Sequence, residues 1–404
     1  MLSEQVIEQL VEALVMRIER VNTYTLKKIA EAIKKIRDVP PSKAYDLAMI
    51  LKYGGDYDKI IKALAKATEL NEKELDEIFE KVAKKNQVFA KQFYDYKKVK
   101  YIPYEKNIEL QNQVEAIRRI TKDTYKNLSK TLGFTREING KRYYYSIGET
   151  YSKVIDEATL SIVQGKDSFN IAMNKAISDL AKSGIQTIDW ESGYHRRLDT
   201  SVRMNIQSAI RDFSISLQRQ FGEEYGADGV EISVHDRPAP DHAEIQGHQF
   251  STKKKDGEEL SEFDKLQNNQ DCYDYQGNFI SKNYKNHDRR SIGEYNCYHY
   301  VYSVVLGISK PQYTQKQLDK INIANEKGFT LDGKHYTLYE GTQLQRKMEL
   351  GIRRLRDKEL MLKESNTTDK LEVTQLKITR LINKYIELSK KSGLPTKMER
   401  LRLR

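Results

Sequence analysis

The sequence predicts a predominantly helical α+β protein, with an N-terminal helical region, a small central α+β domain and basic C-terminal helices. Three observations support this class. Apolar residues recur at three- and four-residue steps over most of the chain, as they do on one face of a helix. Asn-Gly and Asp-Gly pairs stand between β-prone residues at two places, which favours hairpins. Tyr and Val are concentrated between Gly226 and Gly307, as they are in strands.

The composition fits long, solvent-exposed helices around a modest core. Of the 404 residues, 38% are hydrophobic and 31% are charged, whereas about 45–50% apolar residues is usual. No stretch approaches the roughly 18 apolar residues of a spanning helix, so we expect neither membrane insertion nor a signal peptide. Two cysteines cannot make a disulfide framework, which indicates a reducing compartment such as the cytoplasm of the producing cell.

The first segment, residues 1–135, is predicted to be a compact bundle of six helices. We expect one helix up to Val21 and a second from Leu26, which the prolines of "DVPPS" end. A third helix follows a Ser42 cap, and Asn71 is predicted to cap a separate fifth helix. The sixth is predicted near Ile108 to Leu132.

Three further segments follow. Residues 136–225 are predicted to hold a hairpin at Asn139-Gly140 and long helices, the last from Leu198 to Phe221. Residues 226–310 are predicted to form the central α+β domain. Residues 311–404 are predicted to hold a hairpin at Asp332-Gly333 and two helices, near Gln343–Lys363 and Leu371–Lys391, with Gly393 ending the second.

Most of the net charge of +11 lies at the C-terminal end. From Gly341 onward there are 17 Lys and Arg against 8 Asp and Glu, a net +9. Such a segment suits a polyanion like DNA or an acidic partner surface, and a solvated charged helix is the alternative. The candidate nucleic-acid or partner-binding residues are Arg196, Arg197, Arg203, Arg353, Arg354, Arg356, Arg400 and Arg402.

Three of the few His and Cys residues are candidate ligands and lie in two short blocks, the first of which also contains His248. His242 lies in "RPAPDHAEIQGHQF", and Cys297 and His299 lie in "NCYHYVYSVVLGIS". Zinc binds nitrogen and sulfur ligands tetrahedrally, so these three could form a metal site, with His235, Asp236 or water as the fourth ligand. A nucleophilic Cys297 with a histidine base, oriented by Asp236 or Asn296, is one alternative. A buried thiol with a packing role is the other.

Several catalytic motifs are absent from the sequence. There is no phosphate-binding glycine loop, no His-Glu-x-x-His pair and no Gly-x-Ser-x-Gly turn. These absences argue against a nucleotide-driven motor, a zinc protease and a serine hydrolase.

The blocks "RPAPDHAEIQGHQFS" and "EYNCYHYVYSVVLGISKPQY" closely resemble the phage minor capsid protein 2 family. In that family an Arg-Pro, His-Ala, Gln-Gly block precedes an Asn-Cys-x-His block that ends in Gly-Ile-Ser-x-Pro. The segments "SGYHRRLDTSVRMNI" and "YTLYEGTQLQRKMELGIRRLR" also look like the family's flanking blocks. The resemblance covers nearly the whole chain and implies structural roles for Arg237, Pro238, Gln246, Gly247, Asn296 and Gly307.

This family is in turn similar to the minor head morphogenesis proteins typified by protein F of phage Mu. Their central domain often carries Cys-x-x-Cys followed by His-x-x-Cys-x-Cys. By position, the second Cys of the pair falls on His242, and the last two fall on Cys297 and His299. Ala239 and Glu294 stand where the first Cys and the His would be. The resemblance therefore implies three metal ligands rather than a full tetrad.

The resemblance implies a non-enzymatic minor structural protein of a tailed-phage or prophage head. Such a protein is made in the bacterial host cytoplasm and lies inside the capsid near the portal vertex. Its expected partners are the portal protein, capsid or scaffold proteins and packaged double-stranded DNA. Two other hypotheses are a metal-dependent enzyme or injected effector using the central His/Cys/His set, and a free DNA-binding protein that uses the basic tail.

Overall fold

The fold is described from a computed structural model, which covers residues 4–53, 55–188, 194–285, 287–295 and 297–402. Within these ranges the chain is mainly helical and carries small antiparallel sheets, which confirms the predicted class. The α-helices are α1 (Glu4–Arg37), α2 (Ala44–Tyr53), α3 (Asp56–Lys97), α4 (Ile108–Lys130), α5 (Ile147–Gln164), α6 (Lys166–Ser183), α7 (Leu198–Glu224), α8 (Pro240–Ala243), α9 (Glu262–Gln267), α10 (Gln315–Lys327), α11 (Leu338–Glu364) and α12 (Leu371–Ser392).

The strands are short, and all their pairings are antiparallel. They are β1 (Leu132–Ile138), β2 (Lys141–Ser146), β3 (Gln186–Ile188), β4 (His195–Arg197), β5 (Gly229–Ile232), β6 (Gln249–Ser251), β7 (Cys272–Tyr273), β8 (Phe279–Ile280), β9 (Asn283–Tyr284), β10 (His287–Asp288), β11 (Val301–Val304), β12 (Phe329–Leu331) and β13 (Lys334–Tyr336). Both predicted hairpins are confirmed, as β1–β2 and β12–β13.

The hairpin turns form for the predicted reason. Asn139 and Gly140 adopt φ values of 51° and 76°, and Asp332 and Gly333 adopt 51° and 75°. Two successive residues with positive φ make the turn whose twist matches that of paired strands. Asn, Asp and Gly tolerate this conformation better than other residues do.

The predicted break between two helices near residues 22–25 is wrong, because α1 runs through it. Asn22 accepts a hydrogen bond from the Ile185 amide at 2.8 Å, and the Thr25 hydroxyl donates to the Val21 carbonyl at 2.8 Å. Both side chains are buried. Asn22 is therefore satisfied by a partner outside α1 and Thr25 by a carbonyl within it, so neither residue ends the helix.

The predicted N-cap at Asn71 is wrong for a similar reason. Asn71 lies within α3 and is fully buried. Its side-chain amide donates to the Leu14 carbonyl at 3.2 Å and to the Tyr125 hydroxyl at 2.8 Å. A long helix with a buried amide thus replaces two short helices with a capped joint.

The chain folds into two compact units. Unit 1 comprises Met1–Val11, Leu75–Thr121 and Met204–Thr342, and unit 2 comprises Glu12–Glu74, Lys122–Arg203 and Gln343–Arg404. In unit 2 the strand order β2-β1-β3-β4 forms one sheet, and α5 and α6 pack on each other and on β1. In unit 1 the sheet order is β11-β5-β6.

The core of the central region lies on this three-stranded sheet. Its buried residues come from α7, from the sheet and from the short elements between β6 and β11. They are Ile215, Val230, Ile232, Ile245, Phe250, Phe263, Leu266, Cys272, Ile280, Ile292 and Val301. Cys272 belongs to this core as a buried thiol.

Candidate metal centre in the central region

The pairing of β5 with β11 brings the two sequence blocks together. Ile232 at the end of β5 pairs with Val301 at the start of β11. The residues after β5 and those before β11 therefore leave the sheet at the same end of the two strands. His242 lies on α8, which follows β5, and Cys297 and His299 directly precede β11.

The three side chains meet in the interior of unit 1. Cys297 Sγ lies 3.5 Å from His242 Nδ1 and 3.6 Å from His299 Nδ1. One ligand atom from each residue lies within 4.8 Å of the other two. None of the three residues is more than 2% exposed, so the thiol is not presented to a substrate in this fold.

The outer nitrogen of each histidine ring faces a carbonyl oxygen. His242 Nε2 lies 2.9 Å from the Arg290 carbonyl, and His299 Nε2 lies 3.4 Å from Gln246 Oε1. The amide of Gln246 is oriented by the His235 backbone N–H, which donates to the same Oε1 at 3.1 Å. Because a carbonyl only accepts, both Nε2 atoms must carry the proton in the neutral rings.

An ion pair that the sequence did not indicate holds the Arg290 backbone in place. The Arg290 guanidinium donates to both carboxylate oxygens of Asp241 at 2.8 Å. The neighbouring Arg289 donates to the Asp241 carbonyl and, at 2.7 Å, to Glu244. Asp241 and Arg290 are 49 positions apart, so no local pattern in the sequence could have paired them.

Burial and mutual contact shift the pKa values in this cluster. Burial opposes the thiolate of Cys297, but the hydrogen bond and charge of His242 outweigh it and lower the pKa of Cys297. Burial likewise opposes the charged form of His242, yet the contact with Cys297 and the charge of Asp241 raise its pKa. Burial, with the charges of His235 and His242, puts the pKa of His299 well below its usual value.

The two residues proposed as a fourth ligand, His235 and Asp236, lie outside this group of ligand atoms, as does His248. The His235 ring packs on the His299 ring with centroids 4.3 Å apart, and burial, followed by the charge of His242, lowers its pKa to about 4. Asp236 is exposed. His248, which is partly buried, binds Asp274 Oδ2 at 2.8 Å instead.

Of the residues implied by the family resemblance, Gln246 contacts the cluster through His299. Pro238 and Gln246 are buried, and Arg237 is partly buried. Gly247 and Gly307 both adopt a φ of 76°, which favours glycine. Asn296 and the lone Trp190 lie outside the described residues.

Five of the eight candidate arginines form ion pairs inside unit 2. Arg197 is buried between Asp199 and Asp357, and Arg353 contacts Glu19 and Asp199. The remaining pairs are Arg203–Glu12 at 2.9 Å, Arg356–Glu359 at 3.6 Å and Arg400–Glu349 at 3.7 Å. The positive charge of these five side chains is therefore met by carboxylates of the same unit.

The other three candidate arginines differ from one another. Arg196 lies over the Tyr194 ring at 5.0 Å, and Arg402 is exposed near the C-terminal end. Arg354 is partly buried, and burial, with the charges of Arg197 and Arg353, lowers its pKa.

Together these features define a mainly helical protein in which a small central sheet brings the two sequence blocks together around a buried His/Cys cluster. No helix of the described ranges is both long and apolar enough to cross a membrane. The model of the family "Phage minor capsid protein 2" matches residues 2–387. The chain therefore belongs to this family, which makes it a minor capsid protein of a phage head and implies a structural role. No curated protein and no solved structure gave a significant match.

Proposed function

We propose that this minor capsid protein binds the portal and neighbouring head proteins and contacts packaged DNA near the portal vertex. Family membership supports action in head assembly, and the exposed basic face of α12 is the observation that carries the DNA contact. A second exposed surface, on α2, carries the protein contact. Both surfaces lie in unit 2.

The DNA contact is assigned to α12 because its basic residues point outward. Lys377, Arg380 and Lys390 are exposed, and Lys370 precedes the helix. The opposite face is buried through Ile378, Tyr385 and Leu388, among others. Lys370, Lys377 and Arg380 have no ion pair with any carboxylate in the part of the chain that the structure describes. Phosphate oxygens could therefore approach them without displacing an internal partner.

Neighbouring lysines add to the positive potential on this face. Lys358 of α11 is partly buried, and burial, with the charges of Lys377 and Lys370, lowers its pKa. Like charges held together repel one another, and a bound phosphate relieves that repulsion. This supports α12 and the adjoining part of α11 as the polyanion-binding face.

The DNA contact is tested by removing charge from α12 alone. We expect Lys377→Gln combined with Arg380→Gln to weaken binding of the full chain to a labelled duplex, measured by fluorescence anisotropy against salt concentration. Each lost phosphate contact should reduce the slope of log K against log salt by about 1, so the expected reduction is about 2. Lys141→Gln with Arg142→Gln, on the exposed end of the β1–β2 hairpin, is the control with the same charge change. Equal slopes for the two double variants would overturn the assignment to α12.

The portal contact is assigned to α2, a short helix that is apolar on its outer side. Tyr45, Ile50 and Tyr53 are 69%, 65% and 80% exposed, and Met49 lies beside them at 41%. The opposite side of the helix is buried through Ala44, Ala48 and Leu51. Adjacent large apolar side chains on a surface mark protein interaction sites more often than scattered ones do. A head protein needs such a contact with its assembled neighbours.

The protein contact is tested by co-purification with portal oligomers. We expect the wild-type chain to be retained by immobilised portal, and Ile50→Ser with Tyr53→Ser to reduce retention at least tenfold. Ile323→Ser, at a 67% exposed position on α10, is the control. Unchanged retention of the α2 variant would refute this surface. Virions of normal composition and infectivity after deletion of the gene would refute the role in head assembly itself.

A further inference from the structure

We propose that His242, Cys297 and His299 bind one zinc ion through His242 Nδ1, Cys297 Sγ and His299 Nδ1. The ion fastens α8 to the segment that leads into β11. This inference concerns the folding of the central region and does not depend on the portal or DNA contacts.

The first argument is the direction of the lone pairs. Both Nε2 atoms face carbonyl oxygens, so both Nδ1 atoms carry lone pairs, and both of these face the sulfur of Cys297. A thiol has one proton and can satisfy only one of the two nitrogens. The other nitrogen would face sulfur without a hydrogen between them. A cation shared by the three atoms removes this conflict.

The second argument is the distance between the donors. Zn–S bonds are about 2.3 Å and Zn–N bonds about 2.0–2.1 Å, so a tetrahedral site has S···N edges of roughly 3.6 Å. The observed S···N distances are 3.5 and 3.6 Å. These two edges therefore match a tetrahedral ion, and the third edge, between the two nitrogens, lies within 4.8 Å.

The third argument is the set of groups that hold the ligands. A metal-bound histidine usually donates its second ring N–H to a carbonyl or carboxylate, as both rings do here. The His299 amide lies 3.4 Å from Cys297 Sγ and donates to it, which stabilises a thiolate. The thiol releases its proton when the ion binds, and Asp241 with Arg290 fixes the carbonyl that orients His242.

The donor set selects the kind of ion. Sulfur and two imidazole nitrogens suit zinc, whereas magnesium and calcium require oxygen ligands. Within the described ranges, no other His, Cys, Asp or Glu joins the three residues as a ligand of the same group. In the proposed site a water molecule is the fourth ligand.

The experiment measures metal content of the full chain after reconstitution with zinc under reducing conditions. We expect one zinc per chain, and X-ray absorption at the zinc edge should give one sulfur neighbour near 2.3 Å with nitrogen or oxygen neighbours near 2.0 Å. Removal of the ion with a chelator should lower the melting temperature by roughly 8 °C or more. Less than about 0.1 zinc per chain, or bound zinc without a sulfur neighbour, would overturn the proposal.

Variants of the two cysteines make the test specific. Cobalt-loaded wild-type protein should show a thiolate-to-cobalt charge-transfer band, which Cys297→Ser should abolish. Cys272→Ser is the matched control, because Cys272 is equally buried but packs in the apolar core, and it should keep the band and the zinc. His235→Ala should also retain one zinc. If both cysteine variants bind zinc equally well, Cys297 is not a ligand; the spectrum of the wild-type protein decides this even if Cys297→Ser fails to fold.

Discussion

Arg197→Met tests whether the buried arginines of unit 2 hold the fold rather than bind a polyanion. Arg197 Nε lies 3.3 Å from Asp199 and Nη1 lies 3.3 Å from Asp357, and the three residues are 6%, 4% and 1% exposed. Methionine keeps most of the volume of the side chain and removes its charge. Asp357 is then left with the Asn22 amide at 3.4 Å as its remaining contact in this group.

The expected cost follows from the burial of this network. Removal of one partner of a buried ion pair destabilises a protein by about 3–5 kcal/mol, because the other charge stays buried without compensation. For a unit of 150–250 residues, this lowers the melting temperature by roughly 6–20 °C. Burial, with the charge of Asp199, already raises the pKa of Asp357 to about 6. In acid Asp357 is therefore protonated and uncharged, and the loss of stability caused by Arg197→Met should fall to the lower end of this range.

The assay is thermal unfolding followed by circular dichroism, together with the salt dependence of DNA binding. Arg402→Met is the control, since Arg402 is exposed, and it should change the melting temperature by less than about 2 °C. Arg197→Met combined with Asp357→Asn should recover at least half of the loss, because no unpaired charge remains. The reasoning is refuted if Arg197→Met unfolds within about 1 kcal/mol of wild type, or if it changes the salt slope as the α12 variant does.

Two further predictions concern unit 1 and the pH response of unit 2. Gly247→Ala should destabilise the protein by about 2 kcal/mol in urea unfolding, because φ is +76° and the new Cβ would lie 2.8 Å from Leu318 Cδ2. Gly257→Ala is the control: φ is +83° but the space around it is open, so it should cost about 1 kcal/mol. Equal costs would show that the contact with Leu318 does not destabilise the variant. Asp357 has a folded pKa raised to about 6, so its favourable contribution is complete below pH 4 and is lost as the pH rises through 6. The stability of wild type relative to Asp357→Asn should therefore be greater at pH 4 than at pH 7.5 by roughly 2 kcal/mol. A constant difference in stability across this range would exclude a raised pKa of Asp357 in the folded protein.

Local chemistry was sufficient to predict the elements that depend on a few adjacent residues. The hairpins at Asn139-Gly140 and Asp332-Gly333 follow from the positive φ that those residues accept. The end of α12 at Gly393, which adopts a left-handed φ of 67°, follows from the same property. These features need no knowledge of the rest of the chain.

Elements that depend on distant partners could not be predicted in the same way. Asn71 is a residue type typical of N-caps, but it lies inside α3, where its side-chain amide donates to the Leu14 carbonyl and the Tyr125 hydroxyl. Strands β3 and β4 are three residues each, and they exist because β1 offers an edge to β3. The spacing of residues within these segments does not report partners more than fifty positions away.

In the candidate site, too, the ligand residues could be predicted from the sequence, but the contacts that orient them could not. The three residues His242, Cys297 and His299 were predicted as a group, because rare residue types stood in two short blocks. The carbonyl of Arg290 and the amide of Gln246, which decide the protonation of the rings, could not be predicted as contacts. They depend on the fold of the loops between β5 and β11, and this arrangement is fixed only when the sheet pairs.

The fold divides the basic residues of the C-terminal segment into those on or beside the outer face of α12 and the rest. Its 17 basic residues would give a salt slope near −15 if each released one counterion from DNA. The structure leaves a smaller set for the outer face of α12 and its neighbours, namely Lys358, Lys370, Lys377, Arg380 and Lys390. Five phosphate contacts give a slope near −4.5. A measured slope much steeper than −5 would mean that basic residues beyond these five bind DNA, and the buried position of Arg197 and Asp357 argues that Arg197 is not one of them.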